Sequence, residues 1–551
     1  PGPLMAAAEP APLVAAEAAR RRTFAIIAHP DAGKTTLTEK LLLYAGMVRT
    51  AGMVKNRKNG RLATSDWMSM EQERGISITA SAMQFEYGDC VLNVLDTPGH
   101  QDFSVDTYRT LTAADCAIMV LDAAKGVETQ TKKLFQVCAL RGIPVVTFVN
   151  KCDLPARPGL EILAEVEDVL GIKPSAMNWP TGSGSEFDGV VDIASGDLLH
   201  FTKAAAGGAK PALVERTAIA SERAAALLGP RRDALADEAE MLRVAGEPFT
   251  RERFLDLKVT PVFFGSAFTN FGVEPFFDAF VRLSPPPSPR PVAVPVRGGD
   301  PAEAQLPITA PFSGYVFKIQ ANMNPKHRDC LAFIRICSGR FERDMVARHL
   351  RDGEIVRELR LSRPHTMVAA SRTTLDDAWP GDVVGVINNG FAIGDTLLVG
   401  SGLPPELRPG FSHAPLPQFP PECFAQVAPA DLGKRKPFDK GMETLGLEGA
   451  VQVLRSWHNP QADPFIAAVG RLQFEVLQYR LKDEFGVETR LEPLPYQASG
   501  WLIGPVETFT ETPGSYLARD GRGRAVVLFP SRWDRDYCQK QNPDHRLVDF
   551  A

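Results

Sequence analysis

The sequence predicts a multidomain fold in which an α/β domain comes first, a small β-barrel domain follows, and an α+β domain ends the chain. Three observations support this prediction. Near-continuous apolar runs alternate with helical stretches in the first half, which is typical of strands buried on both faces of a parallel sheet. Short strands with glycine turns replace them after residue 306, and two proline-rich segments separate the three regions. The chain has 551 residues, which is enough for three or four domains of roughly 150 residues.

The composition is that of an ordinary globular protein. Hydrophobic residues make up 44% and charged residues 23% of the chain, which excludes a mainly disordered protein. No apolar run approaches the roughly 20 residues that a membrane-spanning helix needs, so we expect no membrane contact. The eight cysteines form no CxxC pair, which favours a reducing, cytoplasmic location. Because the net charge is −5, any nucleic-acid contact must use local basic patches.

The domain boundaries follow from where the sequence pattern changes. The predicted segments are a flexible N-terminal extension at 1–22, the α/β domain at 23–283, a proline-rich linker at 284–305, the β-barrel domain at 306–402, a second linker at 403–421 and the C-terminal α+β domain at 422–551. Within the first domain, the apolar runs predict strands at Thr23–Ala28, Val91–Leu95, Cys116–Leu121 and Pro144–Val149.

A phosphate-binding loop is predicted where the first strand meets the first helix of the α/β domain. The candidate residues are Ala28, His29, Asp31, Ala32, Gly33, Lys34, Thr35 and Thr36. Backbone N–H groups in such a loop converge on phosphate oxygens, and the helix N-terminus adds a favourable dipole. Lys34 would reach the terminal phosphates, and the Thr35 hydroxyl would bind Mg²⁺. The loop begins with Ala28 where the general pattern has glycine. This first domain is therefore predicted to be of the P-loop type.

The residues after two later strands indicate which base is bound. In Asn150-Lys151-Cys152-Asp153, the Asp153 carboxylate can accept hydrogen bonds from both N1–H and the exocyclic amine of guanine, a pair that adenine does not present. The Lys151 stem can cover the base, and Asn150 can tie the loops together. The backbone at Ser266 and Ala267 can bond the guanine carbonyl. The sequence thus predicts GTP and GDP as ligands and disfavours an ATPase.

A third group of motifs is expected to contact the γ-phosphate and its Mg²⁺ ion. Asp96-Thr97-Pro98-Gly99-His100 follows a buried strand, so Asp96 is expected to hold Mg²⁺, with Pro98 and Gly99 at the γ-phosphate. Upstream, residues 73–78 have the form of a switch segment that metal and γ-phosphate would order.

These motifs, in this order, resemble those of the translational GTPases. The residues that carry the resemblance are AHPDAGKT at 28–35, RGISI at 74–78, DTPGH at 96–100, DAAKGVETQT at 122–131, NKCD at 150–153 and GSA at 265–267. The resemblance implies a P-loop GTPase domain in which His100 helps to position the attacking water and acts in catalysis with Lys34. It also implies that Ser77 binds Mg²⁺, although the family has threonine there and the serine loses the methyl packing.

Further segments resemble the bacterial class II release factors. They include AGMVK at 51–55, SDWMSME at 65–71, GRLQFEVL at 470–477 and FPSRW at 529–533. The resemblance implies hydrolysis of GTP to GDP and phosphate, stimulated by the ribosome, that drives a class I release factor off after peptide release. Ribosomal RNA and proteins would be partners, and guanosine tetraphosphate could compete with GDP. A monomer is the default expectation.

Two alternatives share part of this evidence. An elongation-type factor would need further C-terminal domains, and only about 130 residues follow the second linker. A nucleotide-sensing, ribosome-binding module with little hydrolysis would look the same in an isolated sample, because intrinsic turnover is slow. Three basic patches are candidates for RNA contact, at 55–61, at Lys434–Lys436 and at Arg519, Arg522 and Arg524.

Overall fold

The computed structural model describes residues 11–47, 81–97, 104–202, 210–296, 301–321, 330–362, 364–368, 371–388, 390–408, 410–413, 421–449, 451–459 and 461–548. Within them the chain forms the predicted order of an α/β domain, a β-barrel domain and an α+β domain.

The first domain is built on one large sheet. Its strands and those of an inserted sheet are β1 (Arg21–Ala28), β2 (Ser81–Tyr87), β3 (Cys90–Asp96), β4 (Cys116–Asp122), β5 (Val145–Asn150), β6 (Lys173–Ala176), β7 (Asn178–Pro180), β8 (Gly189–Asp192), β9 (Asp197–Thr202), β10 (Leu213–Ala218) and β11 (Val259–Phe264). The large sheet has the order β2-β3-β1-β4-β5-β11-β6, and all neighbours except β2 and β3 run parallel. The predicted buried parallel strands are confirmed, since β1, β3, β4 and β5 have almost wholly buried side chains.

The helices of the first domain pack against its two sheets through their apolar faces. They are α1 (Ala11–Arg20), α2 (Lys34–Tyr44), α3 (Ser104–Thr112), α4 (Thr129–Leu140), α5 (Gly159–Leu170), α6 (Glu222–Leu228), α7 (Arg231–Ala245), α8 (Arg251–Leu255) and α9 (Val273–Leu283). Helix α9 is an example. One of its faces carries four fully buried residues at helical spacing: Val273, Phe276, Phe277 and Phe280. Phe280 packs edge-on against Phe24 of β1, which fixes the helix to the sheet.

The prediction of a flexible extension at residues 1–22 is wrong for the part that the structure describes. Residues Ala11–Arg20 form α1, and Val14 and Ala18 are buried on its inner face. The Glu17 carboxylate accepts a hydrogen bond of 2.7 Å from Arg21, the first residue of β1. Alanine-rich sequence has high helix propensity, and one buried apolar face is enough to hold such a helix in place.

The first domain contains a second sheet, which the sequence pattern did not predict. Strands β7 to β10 form an antiparallel sheet in the order β10-β9-β8-β7, with α6 and α7 beside it. Its core includes Trp179, Phe201, Leu228 and Leu235. Short strands that are half exposed give a weak periodic signal, so this insertion was not separable from loops by pattern alone.

The second region is a β-barrel domain preceded by a small sheet. Its strands are β12 (Arg290–Val294), β13 (Ala302–Leu306), β14 (Ser313–Ala321), β15 (Cys330–Ser338), β16 (Phe341–Glu342), β17 (Val346–Arg351), β18 (Glu354–Arg360), β19 (His365–Val368), β20 (Ser371–Thr374), β21 (Asp377–Ala378), β22 (Val383–Ile387), β23 (Thr396–Leu398) and β24 (Ser412–His413). The main sheet has the order β18-β17-β23-β14-β15-β22-β19-β20. Val316, Ile334, Phe341, Val384 and Leu397 are among its buried core residues.

Both predicted linkers contain secondary structure, which corrects the linker prediction. Strands β12 and β13 lie largely within 284–305, and β24 lies within 403–421. These three strands pair into one sheet, in which Val292 is opposite His413. Proline content pointed to an irregular linker, but Pro291 stands at a position that pairs only with β13, where its missing N–H is tolerated.

The C-terminal domain has one layer of antiparallel strands with helices packed on it. Its elements are β25 (Cys423–Pro429), α10 (Arg435–Glu448), β26 (Gln452–Ser456), β27 (Phe465–Ala468), α11 (Leu472–Phe485), β28 (Thr489–Pro493), β29 (Ala498–Ile503), β30 (Tyr516–Arg519), β31 (Ala525–Phe529), α12 (Arg532–Gln541) and β32 (Arg546–Val548). The strand order is β28-β25-β27-β26-β30-β31-β29-β32. Helices α10 and α11 share one core through Phe438 and Leu481, whereas α12 buries Cys538 against Phe529 in another.

Candidate functional site

The phosphate loop joins the carboxyl end of β1 to the start of α2. Asp31 and Gly33 both have left-handed backbone angles, with φ of 66° and 97°. Such turns direct successive N–H groups toward one point, which is how a backbone binds an anion. A Cβ atom on Gly33 would lie 2.2 Å from Nδ2 of Asn150, so the glycine is also needed for close packing against β5. These backbone angles are compatible with an anion cradle at the predicted position.

Lys34 and Asp96 meet at one end of this loop. Lys34 is the first residue of α2, Asp96 is the last residue of β3, and the Lys34 ammonium forms an ion pair with the Asp96 carboxylate. Both side chains are buried, and the neighbouring Thr97 hydroxyl donates to the Ile26 carbonyl at 2.6 Å. The structure thus brings together the two groups that the sequence assigned to phosphate and metal.

The donor set at this end fits a hard cation. Mg²⁺ prefers carboxylate and hydroxyl oxygens. Asp96 supplies a buried carboxylate, and Thr35 supplies a half-buried hydroxyl in the first turn of α2, one residue after Lys34. Thr36 lies next to it and is also half-buried. Ala28 is buried and paired with Val120 of β4, so it belongs to the sheet at the point where the loop begins.

Asn150 ties the phosphate loop to the loop that follows β11. Its Nδ2 donates to the Ala32 carbonyl at 2.8 Å, and its Oδ1 accepts from the Ala267 N–H at 2.9 Å. The side chain is buried, so these bonds are shielded from water. The predicted tying role of Asn150 is present in the structure.

Asp153 carries an unsatisfied buried acceptor. Its Oδ1 is buried and has no hydrogen-bond partner among the described residues. Leaving a buried acceptor unpaired is costly, so such an atom points to a ligand that supplies a donor. Guanine supplies two donors to one carboxylate, which is the fit that the sequence predicted.

The backbone at Ser266 and Ala267 is less free than the sequence suggested. The Ser266 N–H donates to the Phe271 carbonyl at 2.8 Å, and the Ala267 N–H donates to Asn150. Either amide would have to exchange a partner in order to reach a guanine carbonyl. Asp153 is therefore the better-supported contact to the base.

His29 was assigned to the phosphate loop, and its side chain turns away from it. The His29 Nε2 atom lies 3.3 Å from the Glu128 carboxylate, at the residue that precedes α4. Only the backbone of His29 can contribute to an anion cradle in this arrangement. The contact links the phosphate loop to the segment 122–128, a connection that the sequence analysis missed.

Four predicted site residues lie outside the described residues: Ser77, Pro98, Gly99 and His100. The basic patch at 55–61 also lies outside them. Their roles remain predictions.

Cys152 is a spacer within its motif. It is buried, and burial raises the pKa of its thiol to about 12, so the reactive thiolate is absent near neutral pH. Cys337 is likewise buried, within strand β15. Among the described residues, no group of three or more His, Cys, Asp and Glu side chains has the arrangement of a metal site. In the same part of the chain, no helix is both long and apolar enough to cross a membrane.

The basic patches in the C-terminal domain are largely engaged within the protein. Arg519 stacks over Trp457, and Arg524 stacks over Trp501 and bonds Asp520. Arg522 donates to the Ile393 carbonyl of the barrel domain at 2.7 Å.

Comparisons with known proteins agree with the three-domain order. The matching family models are the elongation factor Tu GTP binding domain at residues 19–286, elongation factor G domain 2 at residues 311–400, and the class II release factor RF3 C-terminal domain at residues 413–539.

Curated relatives match along nearly the whole chain. Peptide chain release factor 3 of Gloeobacter violaceus is 50% identical over 546 residues, which covers 98% of this chain and 99% of the relative. Peptide chain release factor 3 of Symbiobacterium thermophilum is also 50% identical, over 532 residues, with 95% and 96% covered. A crystal structure of a Thermus thermophilus protein matches with a TM-score of 0.66 at 20% identity, covering 92% of this chain and 72% of that one, and so supports the fold.

Proposed function

Because this chain belongs to the peptide chain release factor 3 family and is a GTP hydrolase of translation termination, we propose that the cleft formed by the carboxyl ends of β1, β3 and β5 binds and hydrolyses the GTP. The observation that carries the proposal is the position of Asn150. Its side chain joins the phosphate loop to the Ala267 loop, and the same motif places the unpartnered Asp153 carboxylate oxygen at the base end.

Each described residue has a distinct task in this proposal. Gly33 and its neighbours offer N–H groups to the phosphates, and Lys34 places a positive charge at the terminal phosphates. Asp153 selects guanine. Thr35 and Asp96 would hold Mg²⁺, which when bound would neutralise negative charge on the phosphates. We also propose that His100 acts in catalysis and that the Ser77 hydroxyl binds Mg²⁺ together with that of Thr35.

The ribosome is the partner that the family implies. We propose that hydrolysis on the ribosome drives a class I release factor off after peptide release, and that the protein acts as a cytoplasmic monomer. An elongation-type factor is not favoured, since the C-terminal region matches the class II release factor model.

Guanosine tetraphosphate is a further proposed ligand of the same site. Its base and 5′ diphosphate are those of GDP, so neither Asp153 nor the phosphate loop distinguishes the two. The proposal requires displacement of labelled GDP by guanosine tetraphosphate at millimolar concentration, and failure to displace it would exclude this ligand.

The main experiment is a multiple-turnover GTPase assay with the full chain. It is run alone, with ribosomes, and with ribosomes that carry a class I release factor, while departure of the labelled release factor is followed in parallel. We expect slow intrinsic turnover, strong stimulation by ribosomes, and loss of the release factor only with GTP. Turnover that ribosomes do not raise would favour the nucleotide-sensing module, and release without nucleotide would contradict the coupling.

A further inference from the structure

Asp122 lies at the carboxyl end of β4, beside the base end of the cleft. In the parallel register of β4 and β5, Asp122 is the neighbour of Asn150, so the residue after Asn150 emerges next to the Asp122 carboxylate. That residue is Lys151, and its ammonium lies 2.7 Å from Asp122 Oδ2. No role was assigned to Asp122 from the sequence.

Both oxygens of this carboxylate are fixed. While Oδ2 accepts from Lys151, Oδ1 accepts from the Ala124 N–H at 2.9 Å. The backbone carbonyl of Asp122 accepts from the Gly126 N–H at 2.8 Å, which holds the turn that carries it. The carboxylate therefore cannot rotate away from Lys151 without breaking a second bond.

The backbone of Lys151 has an uncommon conformation, and its side chain is tied to a less exposed partner. Lys151 has φ of 71°, a left-handed conformation that a lysine adopts only where surrounding contacts hold it. Its side chain is 28% exposed, whereas that of Asp122 is 6% exposed. A long, partly exposed lysine samples many rotamers when its end is free, and the buried carboxylate removes that freedom.

Asp122 is ionised under ordinary conditions. Burial alone would raise the pKa of its carboxyl, but the hydrogen bonds from Lys151 and Ala124 outweigh it, so the pKa lies below its usual value. The anchor is thus a charge-assisted hydrogen bond.

We propose that Asp122 is a positioning residue for the nucleotide, which holds the alkyl stem of Lys151 as a cover over the face of the purine and so slows nucleotide dissociation. The inference rests on the proposed function, since Lys151 covers a base only if the base binds beside Asp153. Asp122 touches neither base nor phosphate in this scheme. It therefore affects nucleotide retention and leaves the choice of base and the hydrolytic step unchanged.

The test compares dissociation of a fluorescent GDP from the full-length wild type and from Asp122→Asn. We expect dissociation to be about 10-fold faster, the loss that corresponds to one charge-assisted hydrogen bond. Ribosome-stimulated turnover at saturating GTP should stay within about twofold, as should the preference for GTP over xanthosine triphosphate. Asp122→Glu, which keeps the charge, should recover part of the lost retention.

A double-variant cycle separates positioning from a merely structural role. In a Lys151→Met background, Asp122→Asn should give no further increase in the dissociation rate, because the anchor has nothing left to hold. Asp256→Asn is the matched control, since it removes an acid from an exposed pair with Lys258 in the same domain and should change nothing.

The outcomes are distinguishable. Unchanged dissociation in Asp122→Asn, or an equal increase in both backgrounds, would overturn the positioning role. If Asp153→Asn also leaves GDP affinity unchanged, the base site itself is wrong. If Asp153→Asn lowers GDP affinity while Asp122→Asn leaves GDP dissociation unchanged, the role of Asp122 is rejected and the base site stands.

Discussion

The guanidinium of Arg21, in the strand that leads to the phosphate loop, donates to the carboxylate of Asp382 in the barrel domain at 2.8 Å. The same carboxylate accepts from Gln84 of β2 at 2.8 Å and from Asn93 of β3 at 3.1 Å. One buried acid of the barrel therefore fastens three adjacent strands of the nucleotide-binding domain. The barrel domain is thereby held to the edge of the sheet that β2 forms.

We predict that Asp382→Asn strongly destabilises the protein. The substitution removes the buried Asp382 carboxylate from Arg21, which keeps its ion pair with Glu17, so we expect the loss of one charge-assisted hydrogen bond, about 1.5–3 kcal/mol. Urea unfolding followed by circular dichroism should show a lower midpoint. Asp376→Asn, which affects an exposed pair with Arg343, is the control and should not move it. A wild-type midpoint for Asp382→Asn would mean that the junction contributes little.

Asp153→Asn is expected to loosen guanine specificity. One acceptor oxygen becomes a donor, so one of the two base hydrogen bonds turns repulsive. Loss of a charge-assisted bond in a buried site corresponds to about 1.5–3 kcal/mol, or roughly 10- to 150-fold in GTP affinity. An exchange assay that compares GTP with xanthosine triphosphate measures the change. Unaltered GTP affinity would remove Asp153 from the base site.

For His100→Ala we expect nearly normal GTP binding and ribosome-stimulated turnover that is at least about 100-fold lower. The position of His100, four residues after Asp96, would place it beside the γ-phosphate and away from base and ribose. Equilibrium binding of GTP and single-turnover hydrolysis on ribosomes separate the two effects. Near-normal stimulated turnover would exclude a catalytic role for His100.

The basic run in the C-terminal domain is predicted to act on the ribosome mainly through Lys436. Lys434 and Lys436 are both exposed, but Lys434 donates to the Gly486 carbonyl at 2.6 Å, and Arg435 bonds both Asp439 and Asp463. The sequence alone allowed up to three contacts to ribosomal phosphates, one from each residue of the run. Because Lys434 and Arg435 have partners within the protein, we expect one such contact, from Lys436.

Ribosome binding at several salt concentrations tests this directly. Lys436→Ala should flatten the salt dependence by about one unit of slope, while Arg435→Ala should affect stability more than slope. GTP affinity of the isolated protein should stay the same in both. Equal slopes for wild type and Lys436→Ala would leave the run as ordinary surface.

His413 is predicted to make stability depend on pH in the acid range. The side chain is buried between Tyr315 and Phe411, and burial, with the nearby Arg290 charge, lowers its pKa to about 3. The unfolded chain therefore binds a proton at His413 between about pH 6.5 and 3 that the folded chain does not. Its contribution to stability is full above pH 6.5 and is lost as pH falls, by about 1.4 kcal/mol per pH unit.

His413→Phe should remove that part of the pH dependence. Urea unfolding at pH 7, 6 and 5 should show a smaller loss of stability for the variant than for the wild type. His458→Phe is the control, because His458 is exposed and pairs with Glu511 at the surface. Parallel pH profiles for wild type and His413→Phe would contradict a buried, neutral histidine.

Much of the fold and of the site could be predicted because the signals are local. Strands buried on both faces read as apolar runs, and a parallel sheet brings their carboxyl ends to one edge. Residues at the carboxyl ends of β1, β3 and β5 must then lie near one another, which is why chain order alone could group Lys34, Asp96 and Asn150 as candidates for one site.

Other features depended on pairing between distant segments. Strands β12 and β24 find each other across more than 100 residues, and the local proline content gave no sign of it. The inserted sheet of β7 to β10 has short, half-exposed strands, whose pattern is too weak to separate from loops. Helix α1 is stabilised by tertiary packing of its buried residues, Val14 and Ala18. Composition does not show such packing, and it therefore suggested a flexible extension.

The sequence by itself determined which chemical groups the protein carries and the order in which they follow the strands. Only the tertiary structure decided which of those groups are free to act. Arg435 is a cation in the sequence and part of an internal ion pair in the fold, while Asp122 is an ordinary acid in the sequence and the anchor of Lys151 in the fold. The reason is physical: a charge acts on the groups that lie within a few ångströms of it, and in both cases one of these groups, Asp463 for Arg435 and Lys151 for Asp122, comes from more than 20 residues away in the chain.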